Sequence, residues 1–177
     1  MRLALKLSDV LCGLGSEMIS NGGNFGTNAA WGVANKAFYF PIYVTEYFSA
    51  VKLYTTNGTT ATGNLDMGIY ASSGFVPTTR LVSIGSTAQA GTSVVQEFDI
   101  TDTILFPSTL YFLAMACSSA SSTIQYIGGT PQLGAMRFAG VMQETSAFPL
   151  PSTATPAVLS TNVMVPDIGM ASTTLVA

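Results

Sequence analysis

Three acidic side chains that lie close together in the sequence are the first candidates for chemistry. Glu97 and Asp99 belong to the segment VVQEFDI, and Asp102 follows in TDT. In a β-strand, Glu97 and Asp99 point to the same face about 7 Å apart. This separation suits the paired acids of an inverting glycosidase. A solvated strand face followed by an aspartate-containing turn explains the same pattern, and we expect no catalysis from it.

Other kinds of reactive site find little support in the residue types. The chain contains no histidine, so it has no Ser-His-Asp or Cys-His arrangement and no histidine-based zinc site. Asp99, Asp102 and nearby loop carbonyls offer the oxygen ligands that calcium prefers, but the spacing of an EF-hand loop is absent. The glycine-containing loops NGG, GTTATG and ASSG precede no helix that could hold a phosphate. We expect a protein that is not an enzyme and has no cofactor and no metal.

Aromatic side chains crowd one region of the sequence. They are Trp31, Phe38, Tyr39, Phe40, Tyr43, Tyr47 and Phe48. Exposed rings of this kind hold sugars through their apolar faces, whereas buried rings pack a core or a subunit interface. Alternation along a strand turns about half of the rings inward, which favours packing over sugar binding.

The two cysteines, Cys12 and Cys117, are far apart and do not form a CxxC motif. Cys117 ends the apolar run LYFLAMAC, where a small thiol packs well, so the pattern favours a reduced, buried cysteine. A disulfide between the two is the alternative that the spacing leaves open.

The overall composition is poor in charge. Charged residues make up 8% of the 177 residues, against about 25% in a typical soluble protein, and the mean hydropathy is +0.44. No apolar run reaches the about 18 to 20 residues that a bilayer span needs, so we expect no membrane span. The net charge of −3 and the six scattered Lys and Arg residues argue against nucleic-acid binding. The pattern indicates a hydroxyl-rich surface, a surface covered by neighbours, or both.

Short segments rich in aromatic and β-branched residues, separated by turn residues, predict about seven strands. The segments are AFYFPIYV, EYFSAVKLYTT, LDMGIY, LVSIGS, VVQEFDI, LYFLAMAC and STIQYI. Strands of this length and spacing, without a long helical period, are typical of an antiparallel β-sandwich or jelly roll. We therefore predict an all-β protein.

The same segments predict which residues share a face. LDMGIY turns its apolar residues inward and Asp66 outward, and strict alternation in EYFSAVKLYTT puts Leu53 on the face opposite Phe48. LYFLAMAC is apolar on both faces, which predicts a central strand. Pro41 suits an edge position or a bulge, because proline cannot donate to a β-ladder.

The chain divides into an arm, a domain and a tail. We predict an N-terminal arm at 1–35, a β-sandwich domain at 36–144 and an extended, proline-rich C-terminal tail at 145–177. We expect the domain to fold without the two extensions, whose apolar side chains would be buried mainly against other chains. These side chains include Leu3, Leu5, Leu11, Val158, Leu159, Val163 and Val165.

Part of the sandwich resembles a module of tailed-bacteriophage structural proteins. The resemblance covers 64–117 and follows a strand of the type GIY with a later glycine, a GSTAQAG loop, and a segment that ends in a YFLAMA run. The residues that carry it are Gly68, Ile69, Tyr70, Gly74, Gly85, Ser86, Ala90, Gly91, Asp99, Ile100, Pro107, Tyr111, Leu113, Ala114 and Ala116. Ser108 and Thr109 depart from it, since the pattern often has a glycine at that turn.

This resemblance implies a β-sandwich located in a virion. The subunit would belong to the head, as a capsid decoration protein, or to the neck, tail or a fibre. It would assemble through its terminal arms into a homo-oligomer, for which a trimer is the first expectation by analogy with other virion sandwiches, and would contact other virion proteins. The alternative is a carbohydrate-binding or receptor-binding module of a phage tail or fibre, with a surface glycan as its partner.

Overall fold

A computed structural model describes residues 18–20, 25–127, 133–160 and 166–172, mostly as antiparallel strands. The elements are β1 (Met18–Ser20), β2 (Phe25–Ala30), β3 (Lys36–Val44), β4 (Phe48–Thr56), β5 (Asn64–Ser73), β6 (Val76–Ser83), β7 (Thr87–Ala88), β8 (Val95–Leu105), β9 (Thr109–Cys117), β10 (Thr123–Ile127), α1 (Leu133–Phe138), β11 (Met142–Glu144), β12 (Ala157–Val158) and β13 (Ile168–Ala171). Nowhere in these ranges is there a helix with the length and hydropathy of a bilayer span. The predicted all-β class and antiparallel sandwich are confirmed.

The larger sheet contains seven of these strands. Its order is β12-β11-β3-β9-β5-β6, and β7 pairs with the beginning of β5. The central strand β9 pairs with β3 along its whole length and with β5 from Tyr111 to Cys117. Every residue of that span is buried, so β9 is covered on both faces, as the apolar run predicts.

The smaller sheet has the order β1-β13-β4-β8. Its strand β13 comes from the end of the chain and lies between β1 and β4, with Met18 opposite Ala171 and Ile168 opposite Thr55. A separate antiparallel pair joins β2 to β10. The strands β6 and β8 approach each other, so these two edges lie on the same side of the sandwich.

The main core lies between the two large sheets. Leu65, Met67 and Ile69 on β5 point into it, as the alternation of LDMGIY predicts. At its margin, Trp31 is fully buried and donates a hydrogen bond from Nε1 to the carbonyl of Lys36 at 2.9 Å. Burying side chains of this size stabilises a fold by about 1.5 to 3 kcal/mol each, and this core makes the sandwich one cooperative unit.

A second apolar cluster covers the opposite face of the larger sheet. Residues of the segment 147–154, including Leu150, pack there on Tyr39, Tyr70 and Phe112. Asp66 points to this face, as predicted, but it is fully buried rather than solvated. Alternation identifies the face of a residue but not what covers that face.

The described residues of the predicted tail pack on their own chain. Both β12 and β13 lie within 145–177 and pair with strands of the sandwich, while Leu159 is fully buried in the main core. The expectation that Leu159 is buried against another chain is therefore wrong, and Val158 is 65% exposed. The other apolar residues named for the extensions, Leu3, Leu5, Leu11, Val163 and Val165, lie outside the described residues.

The fragment 36–144 lacks several of these elements. Without β13, the strand β4 loses a ladder partner, and without Leu159 the main core has a cavity. Unpaired backbone groups and cavities both cost free energy of folding. The structure thus argues against the independent stability that we expected for this fragment.

The pairing of β4 with β8 is irregular at one point, and the alternation of β4 changes there. The register with β8 shifts between Ala50 and Lys52, and Phe48, Ala50 and Leu53 all enter the main core. Between the pairs Ala50–Thr103 and Lys52–Asp99, β4 has one residue and β8 has three, and an irregularity of this kind interrupts the alternation of side chains. The prediction that Leu53 lies opposite Phe48 is wrong for this reason.

Pro41 occupies a position where β3 has a strand on only one side. It lies opposite Phe112 of β9, whereas the pairing of β3 with β11 ends at Tyr39. A residue without an N–H group is tolerated there because no ladder bond is lost. The predicted edge position is confirmed locally, although β3 as a whole is an interior strand.

Candidate functional site

The acidic cluster on β8 forms an ion pair with a neighbouring strand. Lys52 on β4 lies opposite Asp99, and its Nζ is 2.5 Å from Asp99 Oδ1 and 3.9 Å from Glu97 Oε2. The hydrogen bond to Asp99 raises the pKa of Lys52. Glu97 and Asp99 lie on the same face of β8, as predicted. Both carboxylates also contact the ammonium group of Lys52. Exposed ion pairs of this type contribute little to stability.

The proposed calcium ligands are not gathered into a site. Asp99 is paired with Lys52, and Asp102 is exposed farther along β8. Within the described residues, no three His, Cys, Asp or Glu side chains are grouped as metal ligands.

Cys117 is a free thiol and is almost fully buried in the main core. Burial raises the pKa of its thiol to about 12, so the nucleophilic thiolate is scarce at neutral pH. The predicted reduced, buried cysteine is confirmed, while Cys12 lies outside the described residues.

Most of the clustered aromatic rings serve the interior. Five of the seven are buried, namely Trp31, Phe38, Tyr39, Phe40 and Phe48. Tyr43 is half-buried, and Tyr47 is 72% exposed. The favoured use in packing is confirmed for the five buried rings, and Tyr47 is available for a contact.

Tyr47 belongs to an exposed apolar surface with two residues of the β8 end of the sandwich. Its ring lies edge-on to that of Phe106, with centroids 5.8 Å apart and planes at 68°. Ile104 lies opposite Ser49 on the neighbouring strand, and Ile104 and Phe106 are 60% and 56% exposed. We call Tyr47, Ile104 and Phe106 the aromatic patch.

The sequence did not identify Ile104 or Phe106. Regular alternation from Phe98 and Ile100, which point inward, would turn Ile104 inward too. Instead, β8 has extra residues between Asp99 and Thr103, and beyond them Leu105 enters the core while Ile104 faces out. Irregularities of this kind depend on the partner strand, so no local signal marks them.

The aromatic patch lies at one end of the sandwich. Val44 is opposite Thr109, and Phe48 is opposite Leu105. The connection between β3 and β4 and the turn between β8 and β9 therefore meet at this end. These two connections hold Tyr47 and Phe106.

Hydrogen bonds fix the turn that carries Phe106. The N–H group of Phe106 donates to the hydroxyl of Tyr111 at 3.0 Å, and Thr109 Oγ1 donates to the carbonyl of Pro107 at 3.0 Å. Ser108 has a φ of 56°, the left-handed conformation that glycine adopts most readily. The departure from the phage pattern at this turn is thus a serine in a glycine-like conformation.

The surroundings of the patch carry negative charge. Glu46 precedes Tyr47 and is exposed, and Asp102 is exposed two residues before Ile104. Neither segment that carries the aromatic patch, 45–49 or 102–108, contains a lysine or arginine. A partner surface with basic groups would complement it.

The loop GSTAQAG of the phage-like module is held by a buried glutamine. Gln89 is 7% exposed, and its Oε1 accepts hydrogen bonds from Ser122 Oγ at 2.5 Å and Thr62 N–H at 3.1 Å. Its Nε2 donates to Asn57 Oδ1 and to the carbonyl of Thr123, both at 2.9 Å. The amide thus uses its full hydrogen-bonding capacity and joins three separate loops.

The same loop is fixed at its two ends and by a second glutamine. Gly85 and Gly91 have φ values of 69° and 78°, which glycine adopts without steric cost. Gln96 accepts hydrogen bonds from the N–H of Ala90 and from Asn57 Nδ2 at 3.0 and 2.9 Å. The motif that carries the resemblance is therefore structural in this protein and exposes no reactive group.

The segment 147–154 is attached to the larger sheet by polar contacts. The N–H group of Leu150 donates to Asp66 Oδ2 at 2.9 Å, and Arg80 Nη1 donates to the carbonyl of Leu150. Tyr70 donates to the carbonyl of Pro151 at 2.5 Å. Burial raises the pKa of Asp66, although the Leu150 hydrogen bond and the Arg80 charge oppose this shift.

The raised pKa of Asp66 predicts a pH dependence of stability. A carboxyl group with a higher pKa in the folded state binds its proton more tightly there, so it favours folding below the unfolded-state pKa and loses this contribution as the pH rises through the folded-state value. In Asp66→Asn, the amide oxygen still accepts from Leu150, but the titration is gone. Denaturant unfolding measures the free energy of unfolding of both proteins at two pH values. The value for the variant minus the value for the wild type should be larger at neutral pH than at mildly acidic pH.

Asp102→Asn removes one negative charge from an exposed position and is the matched control. It should change the pH profile less than Asp66→Asn does. An Asp66→Asn profile that runs parallel to the wild-type profile would contradict the linkage between Asp66 and the stability of the fold.

Neither a family model nor a curated protein matches the sequence. The use of the exposed surface must be inferred from its polarity, charge and position.

Proposed function

We propose that this chain is a structural subunit of a bacteriophage virion that forms an oligomer and contacts other virion proteins. The observation that carries this proposal is the aromatic patch. Two exposed rings and an exposed isoleucine lie together, and hydrogen bonds fix the turn that carries Phe106, in a chain with only 8% charged residues. Grouped apolar side chains on a rigid surface are typical of protein interfaces.

The roles of the phage-like residues support a scaffold function. Gly85, Ala90 and Gly91 shape or anchor the loop around Gln89, and Tyr111 holds the turn beside the aromatic patch. These residues build and stiffen the sandwich. Rigidity of this kind lowers the entropic cost of assembly.

The contacts that we propose lie on the body of the sandwich. The segment 147–154 and the strand β13 pack on the sandwich of their own chain. They are therefore not available to bind a neighbouring subunit. An assembly role for the N-terminal arm stays a prediction, since residues 1–17 lie outside the described ranges.

The location in a virion can be tested on particles. Phage particles from a host culture that produces this chain would be purified on a density gradient and probed with an antibody against it. We expect the chain in the particle band, at a fixed ratio to the other particle proteins. Its presence only in the soluble fraction at the top of the gradient would refute the virion assignment.

The aromatic patch should control self-association. In Tyr47→Ser/Phe106→Ser, two exposed rings are lost while the core is untouched. Because aromatic anchors of an interface often contribute about 2 kcal/mol or more each, we expect the association constant from analytical ultracentrifugation to fall at least about tenfold. Phe75, which is 77% exposed on the hairpin between β5 and β6, provides the control Phe75→Ser. An equal loss in both variants would show that the effect is not specific to the patch.

The exposure of Tyr47 also favours the alternative, a glycan-binding module of a tail or fibre. An exposed tyrosine presents an apolar ring face and a hydroxyl group, the combination that sugar sites use. A glycan array would distinguish the two functions. Selective retention of one sugar that is lost in Tyr47→Ala would favour the glycan module, whereas an assembly protein retains none.

A further inference from the structure

A second exposed surface lies at the end of α1 and on β12. Phe138 is 82% exposed and Val158 is 65% exposed. Arg137 Nε donates to the carbonyl of Leu159 at 2.6 Å, which joins the end of the helix to the end of the strand. Arg137, Phe138 and Val158 therefore belong to one region, which we call the basic patch.

Arg137 differs from the other cations that the structure describes. Lys36 is buried, Lys52 is paired with Asp99, and Arg80 is half-buried against Leu150. Arg137 alone among these four is exposed, and no described carboxylate lies within ion-pair distance of it. The basic patch thus combines exposed apolar groups with a positive charge that the described residues do not neutralise.

The two patches have opposite charges. Glu46 and Asp102 flank the aromatic patch, and Arg137 lies within the basic patch. Two aromatic patches related by a two-fold axis would bring four carboxylates toward one another, which disfavours that contact. An aromatic patch that faces a basic patch instead buries apolar groups on both sides and pairs unlike charges.

The two patches adjoin different sheet edges, and both lie toward the C-terminal half of β3. The aromatic patch adjoins β8, the edge of the smaller sheet, which lies next to β6. The basic patch adjoins β12, the outermost strand of the larger sheet at the end opposite β6. One copy can therefore contact two neighbours at once.

We infer that the aromatic patch of one copy binds the basic patch of the next. This inference rests on the proposed oligomeric function and names the partner surface of its contact. Such a contact is heterologous, and repeated copies form a closed ring if the rotation between neighbours closes. Glu46 and Asp102 set the polarity of the contact through Arg137, and the exposed rings supply its apolar area.

A mixing experiment tests the heterologous contact. Variant one is Tyr47→Ser/Phe106→Ser, and variant two is Phe138→Ser/Val158→Ser; circular dichroism confirms that each is folded. Each variant alone should associate at least about tenfold more weakly than wild type. Their mixture should form heterodimers and no larger species, because each variant retains one intact patch.

A charge exchange gives an independent measurement. Arg137→Glu should weaken association, and the triple variant Glu46→Arg/Asp102→Arg/Arg137→Glu should recover most of it, because the two patches are complementary again. Added salt should weaken the wild-type contact. Phe75→Ser, outside both patches, should associate like wild type.

The outcomes separate this inference from the proposed function. A mixture that stays monomeric, or a charge exchange without recovery, would overturn the heterologous contact. The virion assignment would still stand if the chain co-purifies with particles. Assembly through the two patches without any chain in the particles would support the contact and refute the virion assignment.

Discussion

Gln89→Glu should unfold or severely destabilise the protein. The carboxylate of glutamate cannot donate to Asn57 Oδ1 or to the carbonyl of Thr123, which both accept from Gln89 Nε2 in the wild type. Each buried acceptor that loses its donor costs about 1 to 3 kcal/mol, so we expect the free energy of unfolding to fall by about 3 to 5 kcal/mol. Urea denaturation followed by tryptophan fluorescence measures this, since Trp31 is buried.

Gln143→Glu is the matched control for this prediction. Gln143 is also 7% exposed, but its Nε2 donates to Ser160 Oγ at 2.6 Å, and its Oε1 accepts from the Ser160 N–H. The serine hydroxyl can rotate and donate to a carboxylate, so the loss should be much smaller. Equal losses in the two variants would mean that buried charge, and not the missing donor, determines the effect.

Leu159→Ala should be strongly destabilising, although Leu159 lies in the proline-rich end of the sequence. Its side chain is fully buried in the main core, and a buried Leu→Ala change costs about 2 to 5 kcal/mol. Chemical denaturation at low protein concentration, where subunits are separate, gives the value for one chain.

The neighbouring variant Val158→Ala provides the comparison. Val158 is 65% exposed, so its truncation should change the free energy of unfolding by less than about 0.5 kcal/mol. If Leu159→Ala were as stable as Val158→Ala while its self-association weakened, Leu159 would serve an interface and its place in the core would be in doubt.

Much of the sandwich could be predicted from local patterns. In β5 and β9, the alternating or continuous apolar residues point where the pattern predicts, because β9 pairs regularly with β3 and with β5. Pro41 likewise lies where β3 pairs with a strand on only one side. Side-chain direction follows from the pleat alone as long as the ladder is regular.

The features that could not be predicted all depend on contacts between distant parts of the chain. The irregular pairing of β4 with β8 near Ala50 turned Leu53 inward and Ile104 outward. The burial of Asp66 depends on Leu150, which lies 84 residues later in the chain. Residues 168–171 carry no strong strand signal, and their position between β1 and β4 depends on the open edges of those strands.

The two patches illustrate the same limit. Tyr47 belongs to the aromatic cluster that is visible in the sequence. Phe106 and Ile104 come close to it only because β4 pairs with β8. Arg137 and Val158 are brought together by the contact between α1 and the residue after β12. The sequence shows which residue types are present, but only the fold shows which of them are neighbours on the surface.

The position of β13 has a consequence for folding during synthesis. β4 reaches its partner β8 early, since Lys52 and Asp99 are 47 residues apart, but Thr55 and its partner Asp167, at the entry to β13, are 112 residues apart. Until the ribosome has released residue 171, one edge of β4 exposes unpaired N–H and carbonyl groups, which can pair with other nascent chains. Contacts this distant in sequence also slow folding. Folding of the nascent protein therefore depends on β13, and we expect slow translation or crowded polysomes to favour aggregation over assembly.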